Sequence, residues 1–326
     1  MIVAPLRCFV FAFALAFAVV CSPLATAQAF PNRPIKLIVP LAAGGTGDTL
    51  ARAVGDGMSK ELGENVVVEN KPGAGGLLGT ESVAAAPADG YTLLVASPAH
   101  IINPLLHAGK KTYDPIKGFE PIMVIANTHQ MIVAHRSVPV KNLRELIDYA
   151  KRNPGKLSYG SAGTGSATHL NMELFLSMAG ISVLHVPYRG STQARQDVLS
   201  GQVQLAMDGL LPLQQFLKDG RLIAIGLTSS RRALSNPEIP LIGEVVTGYA
   251  SDTWYGMLAP AGTPADVIAR LHAAAVRAIT SPSVKDRLAK LGAETVGGSP
   301  EEFRRLIESE QRTWAKVVKE SGVKVE

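Results

Sequence analysis

The stretch IKLIVPLAAGGTGDTLARAVGDGMSKELG, residues 35–63, contains the signals from which the fold can be predicted. It starts with the apolar run Ile35 to Val39, which is typical of a buried strand. A glycine-rich turn follows, and apolar residues then recur at helical spacing at Leu50, Val54, Met58 and Leu62. Gly63 is a residue type that commonly ends a helix. The stretch therefore predicts a strand, a tight turn and a helix.

The same alternation continues beyond this stretch. Val66 to Val68 is predicted to be a second strand, Gly76 to Ala86 a second helix, and Thr92 to Val95 a third strand. Together these elements give a βαβαβ run, which is typical of a parallel sheet covered by helices. The fold class predicted for the chain is therefore α/β.

A second part of the chain repeats this pattern. The apolar segment 121–134 holds two strand-like pieces, which predict a crossing into a second lobe. There, helices are predicted at 142–152, after Ser166 and at 192–199, and strands at 157–159, near His185, at 203–207 and at 222–227. A return strand is predicted from Trp254 to Ala259. We expect lobe 1 to comprise residues 30–128 plus 254–326, and lobe 2 to comprise residues 129–253.

The C-terminal part is predicted to be helical. Two segments combine a capping side chain, a proline at the first helical position and an acid three residues after the cap. They are Thr263-Pro264 with Asp266, and Ser299-Pro300 with Glu302. These signals predict two helix starts and carry no information about function.

Residues 1–27 have the pattern of a secretory signal. A single charge, Arg7, precedes an apolar run, and the small residues Ala25-Thr26-Ala27 end the segment. The run is shorter than the about 20 residues that a membrane-spanning helix needs, so we expect cleavage after Ala27 and a periplasmic protein. Both cysteines, Cys8 and Cys21, precede that cut. We therefore expect no disulfide, thiol nucleophile or cysteine zinc site in the mature chain.

The charge of the chain argues against a nucleic-acid partner. The formal net charge of +5 falls to +4 when Arg7 is removed with the signal, and the basic residues are scattered. A weak, dispersed positive charge suits a small anion slightly and is too weak for nucleic acid. We expect a monomer that needs no cofactor.

The residues favour neither a dinucleotide-binding site nor the site of a serine hydrolase. The turn 73–79 misses the Gly-x-Gly-x-x-Gly spacing of a dinucleotide site, because Leu78 stands where the last glycine belongs. Ser161 and Ser166 lie outside a Gly-x-Ser-x-Gly frame, and His169 lies about one helical turn after Ser166. The other histidines show no metal spacing. We predict no catalytic and no metal-binding residue.

Three turns rich in glycine and hydroxyl residues point instead to a binding site. They are residues 40–48, 70–76 and 161–166, each between a predicted strand and a predicted helix. In an α/β sheet such turns lie at the carboxyl ends of the strands, where ligands bind. Each also leads into a helix N-terminus, whose unpaired amides and positive dipole end favour an anion. For any single turn, the alternative is that its glycines only allow a tight backbone turn. The occurrence of three such turns together favours a binding site for a small carboxylate.

The sequence resembles the Bug family, the substrate-binding components of tripartite tricarboxylate transporters. The resemblance runs from about Pro31 to the C-terminus. The matching blocks are Gly44-Gly45 with Asp48, Val68 to Gly76, Asp89 to Leu94, Tyr113 to Pro115, Gly163 to His169, His185 to Gly190, and Trp254 to Gly256. Together these blocks are far more specific than any one glycine turn.

The resemblance implies a type II-like periplasmic-binding-protein fold, in which two α/β lobes joined by a hinge close on a ligand. It also implies that backbone amides, hydroxyls and ordered water hold the ligand carboxylate. By carry-over, the expected ligand-binding residues are Leu41, Ala42, Gly45 and Asp48 on one wall, Ala74 and Ser97 beside it, Ser161, Gly165, Ser166 and His169 on the opposite wall, and Asp208 near the hinge. The first turn departs from the family pattern, because Leu41-Ala42-Ala43 stands where an aromatic residue and a proline are more common.

Three functions are compatible with these residues. The leading one is a solute-binding protein that delivers a dicarboxylate, tricarboxylate, amino acid or aromatic acid to the membrane permease subunits of a tripartite transporter. A sensor component that presents the ligand to a membrane receptor is the second, and the sequence does not separate it from the first. A secreted hydrolase that uses Ser166 and His169 is the third.

Overall fold

The computed structural model describes residues 30–110, 112–233, 236–251 and 253–321. The predicted signal, residues 1–27, and its cleavage site lie outside these residues. Within them, no helix is both long enough and apolar enough to cross a bilayer. The strands form two sheets, with helices between successive strands for most of the chain.

The first sheet contains β1 (Ile35–Val39), β2 (Val66–Asn70), β3 (Thr92–Ala96), β4 (Phe119–Thr128), β10 (Thr253–Pro260) and β11 (Ala293–Gly297). Their order across the sheet is β11-β4-β10-β3-β1-β2. β1 pairs in parallel with β2 and β3, whereas β10 is antiparallel to both β3 and β4. The sheet is therefore mixed, which corrects the expectation of a parallel sheet. β4 runs on towards the second sheet and β10 returns from it, so these two neighbours run in opposite directions.

The second sheet contains β5 (Gln130–His135), β6 (Ser158–Ser161), β7 (Leu184–Pro187), β8 (Leu205–Gly209) and β9 (Leu222–Leu227). Their order is β7-β6-β8-β5-β9. β6 is parallel to β7 and β8, and β5 is antiparallel to β8 and β9. This sheet is mixed for the same reason, because β5 is the strand that enters from the first sheet.

Ten α-helices lie in the described residues. They are α1 (Thr46–Leu62), α2 (Leu77–Ala84), α3 (Ala99–Leu106), α4 (Leu143–Arg152), α5 (Ala167–Ala179), α6 (Ser191–Ser200), α7 (Leu210–Lys218), α8 (Ala265–Thr280), α9 (Pro282–Lys290) and α10 (Pro300–Ser321). At the start of α10, Ser299 and Glu302 form the predicted capping box. Thr263 does not cap α8, since its hydroxyl donates to the Pro260 carbonyl oxygen and accepts from no described N–H group of the helix.

Apolar side chains build a separate core on each sheet. Trp254 packs edge-on against Phe303 in the core of the first sheet, and Phe175 packs edge-on against Tyr249 in a core of the second. A smaller cluster joins elements that stand on different sheets, namely Ile102 and Leu106 of α3, Leu170 of α5 and Trp314 of α10. The two sheets are thus packed together beside the site described below.

Two segments carry the chain from one sheet to the other. A single residue, His129, separates β4 from β5, and the return runs from Thr228 to the start of β10. The segments lie side by side, because the Thr228 N–H donates to the Gln130 carbonyl oxygen and the Ser251 N–H donates to the Thr228 carbonyl oxygen. Gln130 therefore sits where the two sheets meet.

Candidate functional site

A cavity of about 350 Å³ lies where five described helices begin, and we call it the main cavity. The residues at or just before these helix starts line it: Gly45 to Gly47 at α1, Ser97 and Ala99 at α3, Ser166 to Thr168 at α5, Gly190 to Gln193 at α6, and Asp208 and Gly209 before α7. The first residues of a helix carry N–H groups without intrahelical partners, and the dipole makes that end positive. The arrangement therefore favours a small anion, and the volume lies in the range of small-molecule sites, about 300–1,000 Å³.

Local sequence explains why these helices can open on one cavity. A Cβ at Gly47 would lie 3.0 Å from the Tyr255 ring, so glycine here lets Tyr255 pack against the first turn of α1. In the α5 turn, Ser166 Oγ donates to the Gly163 carbonyl oxygen at 2.6 Å and accepts from the His169 N–H at 3.3 Å. Ser166 is thus a side-chain cap that fixes the direction of α5.

Few charged side chains line the main cavity. Among the described residues that line it, Arg189 is exposed and Asp208 is buried. Asp208 accepts from Arg195 Nε at 2.8 Å and from the Gly209 N–H at 2.7 Å. Burial raises the pKa of Asp208, although the nearby Arg195 guanidinium opposes the rise. Because Arg195 balances the Asp208 carboxylate, an anionic ligand would be attracted mainly by helix ends and hydroxyl groups. The exposed Arg189 would add a weaker attraction, since solvent screens its charge.

A second cavity of about 560 Å³, the side cavity, adjoins the first. The two share Leu41, Ala42, Pro72, Ala162 and Arg189 in their lining. Ala74 lines the side cavity and has a positive φ of 47°. A left-handed backbone is strained for a residue with a side chain, and such strain often occurs at ligand sites.

The predicted site residues fall into two groups. Leu41, Ala42, Gly45, Ser97, Ser166 and Asp208 line the main cavity, and Ala74 lines the side cavity. The structure places Asp48, Ser161, Gly165 and His169 in the lining of neither cavity. These four residues hold the turns from behind, as their hydrogen bonds show.

Asp48 holds the first turn. Its Oδ2 accepts from the Gly44 N–H at 2.9 Å and from Arg52 Nε at 3.2 Å. Burial raises the pKa of Asp48, but the hydrogen bonds from Arg52 and Gly44 outweigh burial and leave the pKa below its usual value. The carboxylate therefore stays charged and fixes the backbone of the turn in front of α1.

Two stacked histidines support the turn 161–166. The His169 and His185 rings lie 4.1 Å apart, centroid to centroid, and burial lowers the pKa of His169 to about 3 and that of His185 to about 4. Both rings are therefore neutral at neutral pH. His169 Nδ1 accepts from the Gly165 N–H at 3.2 Å, and Ser161 Oγ lies 2.7 Å from His185 Nε2.

Ser166 and His169 do not form the nucleophile and base that the predicted hydrolase would need. Ser166 Oγ contacts the backbone of residues 163 and 169 and the hydroxyl of Thr168, and it makes no hydrogen bond with the His169 ring. Ser161 does pair with a histidine ring, His185, but its exposed fraction is 0%. The pairing predicted for a hydrolase, Ser166 with His169, is thus absent from the described contacts.

Contacts between turns from the two sheets close the cavities. A Cβ at Gly75 would overlap the Thr164 carbonyl oxygen, and a Cβ at Gly165 would lie 2.6 Å from Asn103 Oδ1. Likewise, a Cβ at Gly209 would lie 2.9 Å from Thr46 Oγ1. Glycine therefore allows backbone from one sheet to touch the other at several points around the site.

Sequence reasoning did not name several residues that line the main cavity. They are Ala43, Thr46, Gly47, Pro72, Ala99, Gln130, Ala162, Ala167, Thr168, Gly190, Ser191, Thr192, Gln193, Gly209 and Tyr255. The blocks that carry the family resemblance contain Pro72, Ala167, Thr168, Gly190 and Tyr255, so that signal could have found them. Gln130 follows the crossing residue His129, and nothing in the local pattern distinguishes it from an ordinary loop residue.

Comparison with solved structures defines the class of protein. The chain superposes on the structure of the periplasmic binding protein BugD with a TM-score of 0.85 and 35% identity, over 91% of this chain and 100% of that one. It superposes equally well on R. palustris Rpa4515 with adipate, with a TM-score of 0.85 and 35% identity over 90% and 99% of the two chains. The fold is that of a periplasmic binding protein.

The family follows from the sequence comparisons. Residues 50–323 match the model of the tripartite tricarboxylate transporter family receptor. The chain is also 37% identical over 295 residues to a UPF0065 protein from the tcbD-tcbE intergenic region of Pseudomonas sp. (strain P51), covering 90% of this chain and 88% of that protein. The chain therefore belongs to the tripartite tricarboxylate transporter receptor family, which confirms the resemblance to Bug proteins.

Proposed function

We propose that this chain is an extracytoplasmic receptor that captures a small carboxylate in the main cavity and passes it to the membrane permease subunits of a tripartite transporter. The observation that carries this proposal is the convergence of five helix N-termini on one cavity whose buried charge, Asp208, is already balanced by Arg195. Family membership supports it, as does the adipate in the related Rpa4515 structure. The six predicted residues that line the main cavity are the proposed ligand contacts.

The division into lobes follows from the same proposal. Residues 30–128 with 254–326 would form one lobe around the first sheet, and residues 129–253 the other around the second. The paired segments at Gln130 and Thr228 would serve as the hinge, since they are the covalent links between the sheets. In this scheme the protein acts as a monomer, and the mature chain begins at Gln28 after the signal is removed.

Binding is tested with the mature chain, freed of co-purified ligand by unfolding and refolding. A carboxylate that binds the folded state should raise its unfolding free energy by about 2.7 kcal/mol at 100 times the dissociation constant, which thermal unfolding detects. The amide or alcohol analogue of each carboxylate should bind more weakly, because the helix N-termini favour a negative charge. A full panel of C3–C8 carboxylates without any stabilisation would refute the proposal.

A variant pair tests whether the main cavity is the binding site. Ala167→Leu fills part of the cavity lining at the start of α5 and should abolish binding. Ala85→Leu makes the same change at an exposed position at the end of α2 and should bind like the parent chain. In cells, loss of the chain should stop uptake of the carboxylate, and only the Ala85→Leu variant should restore it.

A further inference from the structure

Gln130 is a buried polar residue in the lining of the main cavity. It is 4% exposed and lies at the start of β5, opposite Gly209 of β8. Its Oε1 accepts a hydrogen bond from Asn171 Nδ2 at 2.8 Å. Its Nε2 donates to no described residue, and this atom is not fully buried, so it reaches accessible space. Because Gln130 lines the main cavity, its Nε2 presents an N–H donor to that cavity.

The orientation of the Gln130 amide is set by Asn171, which does not line the cavity. Asn171 lies on α5 and is 2% exposed. Its Oδ1 accepts from Ser251 Oγ at 2.6 Å, which leaves Nδ2 to donate to Gln130. Its backbone oxygen accepts from the Tyr249 hydroxyl at 2.9 Å, so the helix is fixed at this point as well. A chain of hydrogen bonds thus runs from the return segment, through Asn171, to the cavity.

We propose that Asn171 is a specificity-determining positioning residue. By holding Gln130 Oε1, it makes Gln130 present an N–H group, and the protein thereby selects carboxylates that carry a second hydrogen-bond acceptor at the end remote from the first carboxylate. This inference rests on the proposed function and narrows its ligand class to dicarboxylates and carboxylates with a terminal carbonyl or amide oxygen.

Two hydroxyl groups in the same cavity can also donate hydrogen bonds to a ligand. The Ser97 hydroxyl and the Tyr255 hydroxyl line the main cavity, and neither has a hydrogen-bond partner in the part of the chain that the structure describes. Burial raises the pKa of Tyr255, so its hydroxyl keeps its proton. The acceptor in this region, Asp208, already receives hydrogen bonds from Arg195 and Gly209. A hydroxyl can donate as well as accept, so Ser97 and Tyr255 can supply further donors to an acceptor of the ligand in the main cavity.

Asn171→Asp tests the proposal because it reverses the polarity of the chain of hydrogen bonds. A carboxylate at 171 accepts from Ser251 and can only accept from Gln130, so the Gln130 amide must turn its Nε2 away from the cavity and its Oε1 towards it. The probes are four unbranched series of four to eight carbons, each a carboxylate with a far end that is a carboxylate, a primary amide, an ammonium or a methyl group. Dissociation constants are measured by calorimetry for the mature chain and each variant.

The parent chain should bind its best dicarboxylate at least tenfold more tightly than the ammonium and methyl analogues of the same length. In Asn171→Asp, the ratio of dicarboxylate to ammonium affinity should fall at least tenfold. Asn142→Asp makes the same change at the exposed cap of α4 and should leave the ratio unaltered. Gln130→Met removes the donor without burying a charge and should abolish the preference over the methyl analogue, even if the Asn171 variant fails to fold.

The outcomes separate this inference from the function on which it rests. If no probe binds the parent chain, the proposed function fails. If probes bind and the ratio is unchanged in Asn171→Asp, or rises, the assigned orientation of Gln130 is wrong although carboxylate capture stands. If Gln130→Met keeps the parent preference, Gln130 does not read the far end of the ligand.

Discussion

Gly75 offers the sharpest test of closure, because a single methyl group there would meet the other sheet. In the structure a Cβ on Gly75 would overlap the Thr164 carbonyl oxygen and lie 3.2 Å from the Gly165 carbonyl carbon. Backbone cannot yield as the end of a flexible side chain can. Gly75→Ala should therefore disfavour the closed arrangement of the two proposed lobes while leaving each sheet and its core intact.

The size of the effect can be bounded by a matched control. Gly75 has φ of 64° and Gly63, the cap of α1, has φ of 76°, with no atom within 4 Å of a Cβ at Gly63. Alanine in the left-handed region costs roughly 1–2 kcal/mol at either position. Only Gly75→Ala adds the overlap with the Thr164 carbonyl oxygen. If this overlap raises the free energy of the closed state by about 2 kcal/mol, a ligand that binds only that state loses about 30-fold in affinity.

The assay compares carboxylate affinity by calorimetry and unfolding free energy by urea titration for Gly75→Ala and Gly63→Ala. Both variants should lose similar stability without ligand, because both carry the backbone strain. Only Gly75→Ala should lose affinity. Equal affinities in the two variants would show that the contact with Thr164 is not part of the ligand-bound state, and the closure argument would then fail.

Two further predictions concern buried charge and pH. Arg195→Met leaves the Asp208 carboxylate buried without its cation, so the unfolding free energy at pH 7 should fall by roughly 3–5 kcal/mol. Adding Asp208→Asn should recover part of this loss, and urea unfolding measures both effects. If the losses of the two single variants simply added up in the double variant, the pairing would be contradicted. The second concerns His100, whose pKa burial lowers to about 4. The unfolded chain binds a proton at this residue below its usual pKa of 6.5 and the folded chain does not, so stability is full above pH 6.5 and is lost as the pH falls towards 4. His100→Gln should reduce the loss of unfolding free energy between pH 7.5 and pH 5 by about 2 kcal/mol, and an unchanged loss would place the proton elsewhere.

Much of the fold could be predicted because each signal was local. The strand at Ile35–Val39 and the helix that ends just before Gly63 follow from periodicity and glycine, and the 222–227 strand was predicted with its observed bounds. Strand direction could not be predicted, because an apolar run has the same pattern either way. The helices α3 and α7 were missed, since Pro104 and Pro212 interrupt the helical pattern within them.

The site was predictable at the level of turns and less so at the level of atoms. Glycine and hydroxyl residues marked turns that do open on a cavity, such as the one capped by Ser166. The sequence could not show which side chains of a turn line a cavity. Asp48 and His169 were predicted as ligand contacts, and in the structure they line neither cavity. Gln130 was not predicted, because its proposed role depends on a hydrogen bond with Asn171, 41 residues away in the chain.

The distribution of the helix N-termini suggests how such a receptor could release what it binds. α1 and α3 follow strands of the first sheet, whereas α5, α6 and α7 follow strands of the second. A carboxylate in the main cavity would therefore be stabilised by dipoles that belong to both proposed lobes, and these dipoles act only within about a turn of the helix end. Opening by a few ångströms would separate the two groups and readmit water, so the attraction would fall without any change of charge. A cationic side chain fixed on one lobe would keep its hold on the ligand during opening, which gives a physical reason for a transport receptor to bind an anion mainly with helix ends.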